Sequence, residues 1–184
     1  MSNVVNQAGI WALGIANKII TGPYWRVLEA KGNILDLTPY LYQMKLSFGR
    51  WCKDASGLFE GEILLSDITI HKDEIYNELF RPTNDEVDEL IIQCLEIIMH
   101  SVLLIVERQA EEQLPGGKYF DPPQEVREVA SSVPKSNKVS EREFASLDPL
   151  IRIKPHATIM AQEAIIMWTH NKTLKWLNAK NDAE

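Results

Sequence analysis

One run constrains this chain more than any other. From about residue 84 to 114, Val87, Leu90, Ile91, Cys94, Leu95, Ile98, Val102, Ile105 and Val106 recur at the i, i+3, i+4 and i+7 spacing of a single helical face. Acidic residues crowd its start, where the positive end of the helix dipole favours them. Leu114-Pro115-Gly116-Gly117 breaks it. Just ahead, Thr83 and Glu86 have the spacing of a capping box, with Thr83 as N-cap and Glu86 at N3. A helix of this length cannot bury its stripe alone, so the chain is expected to be mostly α, with this helix as its spine.

A second stripe is as regular. Leu41, Met44, Phe48, Trp51, Ala55 and Leu58 step by three, four, three, four and three residues, predicting a core-facing helix capped by Thr38 and running to about Phe59, before Gly61. Residues 4 to 20 place Val5, Ile10, Leu13, Ile15 and Ile19 at helical spacing, with Thr21-Gly22-Pro23 as the expected stop and a short helix over Tyr24 to Lys31. Asp73 is placed to start another short helix, through Phe80. Residues 62 to 70, EILLSDITI, are β-branched and partly alternating, which suits one or two short strands or an extended crossing between helices equally well.

At 184 residues with 45% hydrophobic, the chain is sized for one respectable core and at most a small satellite. The expected organisation is a helical body over 1–114, a loop or hinge over 115–139 and a C-terminal helical segment over 140–184. The middle stretch is rich in Gly, Pro, Ser and Lys and lacks apolar periodicity. In the last segment, Ser140 and Glu143 form a second capping-box pattern for a helix to Arg152 that contains Pro149. A final helix from about Thr158 to Leu177 carries Ile159, Ala161, Ile165, Trp168, Leu174 and Trp176, more apolar surface than a lone helix can solvate.

Charge narrows the functional classes. The net charge is −7, spread unevenly: residues 1–132 hold 11 Lys and Arg against 20 Asp and Glu, residues 133–184 hold 8 against 6. An acidic body repels phosphate backbones, so DNA contact is expected only through a larger assembly. Cys52 and Cys94 belong to no metal or redox spacing, and His71, His100, His156 and His170 to no HxxxH or HExxH pattern, so no cofactor is expected. Gly116-Gly117-Lys118 lacks the phosphate-loop spacing and reads as a helix stop. No GxSxG elbow is present, and Ser140 reads as a cap. Trp25, Trp51, Trp168 and Trp176 sit in apolar periodic segments, favouring core over base stacking. The start of the chain has neither a basic n-region nor 18 uninterrupted apolar residues, so nuclear or cytoplasmic residence without membrane association is expected.

The run from Pro134 through Ser136 and Ser140-Glu141-Arg142 to Phe144 resembles the P-x-S-x-x-x-S-E-R-x-F-S signature in the C-terminal region of Activator-type (hAT) DNA transposases. Leu13 to Arg26, Leu114 to Tyr119, and Asn171-Lys172-Thr173 with Trp176-Leu177 are similar to segments of transposon-derived animal proteins related to that family. By this resemblance, Glu141 occupies the place of the last carboxylate of a ribonuclease-H-like Asp, Asp, Glu site. The part before residue 115 corresponds to the helical insertion, and the C-terminal helices to a dimerisation region.

The sequence departs from the family pattern at Ala145, where a serine is expected, and shows no strands bearing the two preceding Asp residues. Two-metal phosphoryl transfer requires several oxygen ligands around paired Mg2+ or Mn2+ ions, so a single carboxylate leaves Glu141 idle. The expectation is therefore a non-catalytic interaction or dimerisation domain, contacting a partner through Phe144, Ile165, Trp168, Leu174 and Trp176. The partner would be a second copy, a related transposase chain or an unrelated protein. A metal would enter only if the chain completed a transposase core in trans.

Overall fold

The computed structural model describes residues 2–81, 83–136 and 138–180, with side chains at all of these except 2, 3, 139, 140, 142 and 143. Its backbone contacts divide the chain into two compact units, Met1–Lys135 and Ser136–Glu184. The described residues are mostly helical and contain no β-strand.

The first unit is built on three long elements. Helix α1 (Ser2–Ala16) runs through a π-turn at Asn17–Thr21 directly into α2 (Gly22–Glu29). The Thr21-Gly22-Pro23 segment therefore does not stop the helix, as its breakers suggest, but widens it. Pro23 has no N–H to give to the carbonyl four residues back, and the Gly22 N–H reaches Asn17 O, five residues back.

A 3-10 turn (Ile34–Leu37), capped reciprocally by Asn33 and Asp36, leads into α3 (Thr38–Trp51). The chain then forms α4 (Ser56–Phe59), α5 (Glu74–Leu79) and the spine α6 (Asp85–Gln109). Helices α1 and α3 both pack on α6.

The expected α3 stripe is the core: Leu41, Met44, Phe48, Trp51, Ala55 and Leu58 are all buried. It is divided between two helices, since α3 ends at Trp51, and Thr38 is its first residue rather than its cap. On α6, Ile91, Leu95 and Met99 are fully covered, while Ile105 lies on the exposed face. By length and composition α6 is apolar enough to cross a membrane, and here it packs against α1 and α3. Its cap is Asn84, whose side chain accepts the Val87 N–H at 3.0 Å; Thr83 instead donates its hydroxyl to Asp88 at 2.7 Å.

On α1, Val5, Ile10 and Leu13 are exposed, and the buried stripe is Ala8, Ala12 and Ile15, continued by Ile19 in the π-turn. Small alanines let two helix axes approach closely, which favours them at a helix crossing over bulkier neighbours.

The 62–70 segment forms no strand. Leu64 and Leu65 are buried in it, and its main chain is held by side chains rather than by a neighbouring strand. Gln43 Nε2 donates to Leu64 O at 2.5 Å, and the Arg26 guanidinium donates to Thr69 O at 2.9 Å. These bonds satisfy carbonyls that an extended segment would otherwise leave unpaired.

The 115–139 stretch is more structured than its composition suggests, containing α7 (Gln124–Val129) and a 3-10 turn at Ala130–Ser132. Arg127 pairs with Asp36, and Asn33 Nδ2 donates to Arg127 O at 2.6 Å, which fastens α7 to the 3-10 turn ahead of α3 within the first unit.

Candidate interaction surface

The second unit comprises α8 (Lys138–Ile153), α9 (Ile159–His170) and α10 (Thr173–Asn178). Helix α8 begins at Lys138, which puts Ser140 inside it rather than at its cap; the side chains of Ser140 and Glu143 lie outside the described residues. Pro149 sits within α8. At the α8–α9 turn, Thr158 caps α9 by accepting the Ala161 N–H at 3.2 Å. The anticipated single last helix is two helices, broken at Lys172, which adopts φ 52° and ψ 38° in the left-handed region.

Helix α8 packs on α9, and α9 on α10. Ser146 Oγ and His170 Nε2 lie 3.0 Å apart, joining α8 to the end of α9. Two hollows open on these helices, the smaller of them lined by this pair. One, of about 450 Å3, is lined by Phe144, Leu147, Ile159, Glu163, Ile166 and Met167. The other, of about 250 Å3, includes Pro149, Leu150, Ile153 and Ile165.

Between residues 136 and 180, the one described residue that is buried is Gln162, whose Nε2 donates to Ala157 O at 3.5 Å. Ten large apolar side chains of this unit, Phe144, Trp168, Leu174 and Trp176 among them, are 43–82% exposed. Ile165 is half-buried. Trp168 and Trp176 are therefore not core residues, and neither is Trp25, at 43% exposed; of the four tryptophans expected inside, only Trp51 is buried. Lys180 lies over the Trp176 ring at 4.4 Å.

Glu141 is exposed in the first turn of α8. Among the described residues, no three His, Cys, Asp or Glu side chains converge where they could hold a metal ion. His71, His100 and His156 are exposed, and His170 is half-buried against Ser146. The Gly116-Gly117-Lys118 turn spends its N–H groups internally: Gly117 on Leu114 O at 2.8 Å and Lys118 on Glu112 Oε2 at 3.1 Å.

Sequence reasoning missed the polar pair Ser146 and His170, which are 24 residues apart. Their signal was an unexplained His at the end of an apolar helix. No family model, curated protein or solved structure matches the chain.

Proposed function

We propose that this chain is a non-catalytic, transposase-derived interaction domain that pairs with a second copy of itself through its C-terminal helices. The observation that carries the reading is the absence of a buried apolar side chain among the described residues of 136–180, set against ten large exposed ones. Helices of 16, 12 and 6 residues are marginal in water without packing. Covering each exposed Leu, Ile, Met or Phe contributes about 1.5–3 kcal/mol, so a partner surface supplies what the unit lacks.

Charge does not oppose a second copy as that partner. Residues 133–184 carry 8 Lys and Arg against 6 Asp and Glu, and α8 balances Lys138, Arg142 and Arg152 against Glu141, Glu143 and Asp148, with Arg152 paired to Asp148 at 2.8 Å. A two-fold pairing of these helices therefore brings no block of like charge together. The transposase descent rests on the Pro134 to Phe144 resemblance, and Glu141 is read as an ancestral position without a catalytic role. A related transposase chain would dock on the same surface.

Sedimentation of the full chain at micromolar concentration tests this. A dimer is expected, becoming monomeric in the Phe144→Asp/Trp168→Asp double variant while the first unit keeps its cooperative unfolding. A stable pair buries about 800 Å2 per partner, so a wild-type chain that stays monomeric at about 100 μM with α8–α10 protected from proteolysis would overturn the reading.

A further inference from the structure

The first unit carries a cleft of about 640 Å3 whose chemistry is opposite to that of the surrounding body. Four cations, Arg26, Lys31, Arg127 and Lys135, line it, together with two acids, Asp36 and Asp67. Both acids are engaged. Asp36 pairs with Arg127 and accepts the Asn33 N–H at 2.7 Å, and Asp67 accepts the Tyr40 hydroxyl at 2.7 Å.

The other cations are not so matched. Arg26 donates to Thr69 O at 2.9 Å and Lys135 to Val27 O at 3.5 Å, both neutral carbonyls, and among the described residues neither pairs with a carboxylate. Gly32, at φ +144°, leaves room for Lys135 beside Asp36: an added Cβ there would lie 2.8 Å from Asp36 Oδ2 and 3.1 Å from Lys135 Nζ. The rest of the lining mixes polar Thr38, Gln43 and Ser66 with Pro39, Ile68 and two aromatic residues, Tyr40 and Phe120; the Phe120 ring is held edge-on by Tyr42 with centroids 5.8 Å apart.

Four cations against two carboxylates leave the cleft with an excess of positive charge that a bound anion would complete, and a cleft of this volume suits a small molecule rather than a polymer. We infer that this cleft binds a small organic anion, a phosphate monoester on a flat heteroaromatic body with the chemistry of a mononucleotide. The phosphate meets the ammonium and guanidinium groups, which form the strongest class of hydrogen bond to such an anion. The aromatic body lies against Tyr40 and Phe120. Its lining residues all belong to the first unit, so the inference does not rest on the pairing of the C-terminal helices.

Isothermal titration of the full chain with AMP, adenosine and inorganic phosphate at low ionic strength tests the inference. AMP is expected to bind with a Kd below about 1 mM, adenosine and inorganic phosphate each at least about tenfold more weakly. Lys31→Gln and Lys135→Gln should each weaken AMP about tenfold or more, as loss of one charge-assisted bond requires, with the thermal unfolding of the free protein unchanged. Phe120→Leu should weaken AMP and leave phosphate unaffected. No heat from AMP at several millimolar, or equal affinity in the lysine variants, overturns the site; phosphate binding as tightly as AMP overturns its heteroaromatic specificity.

Discussion

The Trp51 indole N–H donates to Glu62 Oε2 at 2.8 Å while Arg50 holds the other carboxylate oxygen at 2.6 Å, so one glutamate ties the end of α3 to the chain leaving α4. Those two donors, Arg50 first and Trp51 second, hold the Glu62 carboxyl below its ordinary range. A carboxyl lowered in the folded state contributes stability that is present above its unfolded pKa, and that is lost as the pH falls through the folded one. Denaturant midpoints measured from pH 7 down to pH 3 should therefore fall more steeply in the wild type than in Glu62→Gln. At pH 7 the variant should cost about 0.5–1 kcal/mol, a charge-assisted bond discounted for the exposure of Arg50. A parallel pH profile in the two proteins would refute the assignment.

How far the fold is legible in the sequence depends on how it marks each helix. The α3 stripe reads directly because its regularly spaced apolar positions, Leu41, Met44, Phe48, Trp51, Ala55 and Leu58, are all buried, with Ser47 the one polar residue buried among them. The α1 face does not, because alanines carry the packing and their weak hydrophobicity is outweighed by exposed Val5, Ile10 and Leu13. Pro23 reads as a breaker because its missing N–H is local information; the π-turn that accommodates it depends on Ile19 and Ile20 being buried by the rest of the unit. Residues 62–70 have strand composition without a strand to pair with, and tertiary bonds from Gln43 and Arg26 decide their path.

The candidate surface was legible as an excess of apolar residues after Thr158, and the basic cleft was not. Its cations come from positions as distant in sequence as Arg26 and Lys135, and only the folded chain gathers them.

Two glycines separate backbone strain from crowding. Gly61 has φ +91° and an added Cβ would meet Tyr76 Oη at 3.2 Å and the Phe80 ring at 3.5 Å, whereas Gly116 has φ +93° with open space around it. A left-handed residue with a side chain costs about 1–2 kcal/mol, and Gly61→Ala adds the displacement of Tyr76 or Phe80 to that. Urea unfolding should rank Gly61→Ala as more damaging than Gly116→Ala, with both below the wild type. Equal losses would mean that the Tyr76 and Phe80 rings do not press on Gly61.

The spine helix offers a contrast between neighbours in sequence. Leu95 is fully covered where α6 meets α1 and α3, and Ile97, two residues on, is 68% exposed. Leu95→Ala should cost about 2–5 kcal/mol, as truncation in a packed core does. Ile97→Ala should stay within about 0.5 kcal/mol. Chemical denaturation of both variants measures the difference, and a reversal of their order would mean that α6 presents its other face to the core.

The break between α9 and α10 makes a prediction whose sign is the result. Lys172, at φ 52°, holds a conformation that an L side chain adopts only at a cost, and Lys172 N still donates to Thr169 O at 3.2 Å as the chain turns. Glycine adopts that conformation without steric penalty, so Lys172→Gly should strengthen the C-terminal helices by up to about 1 kcal/mol, after allowing for the extra freedom it gives the unfolded chain. Were 159–178 one continuous helix, the same substitution would weaken it by about 1 kcal/mol, the ordinary cost of glycine in a helix interior. Hydrogen exchange of the amides from Ile159 to Asn178 at the same protein concentration reads the sign directly: greater protection supports the break at Lys172, and lesser protection restores the single helix that the sequence pattern suggests.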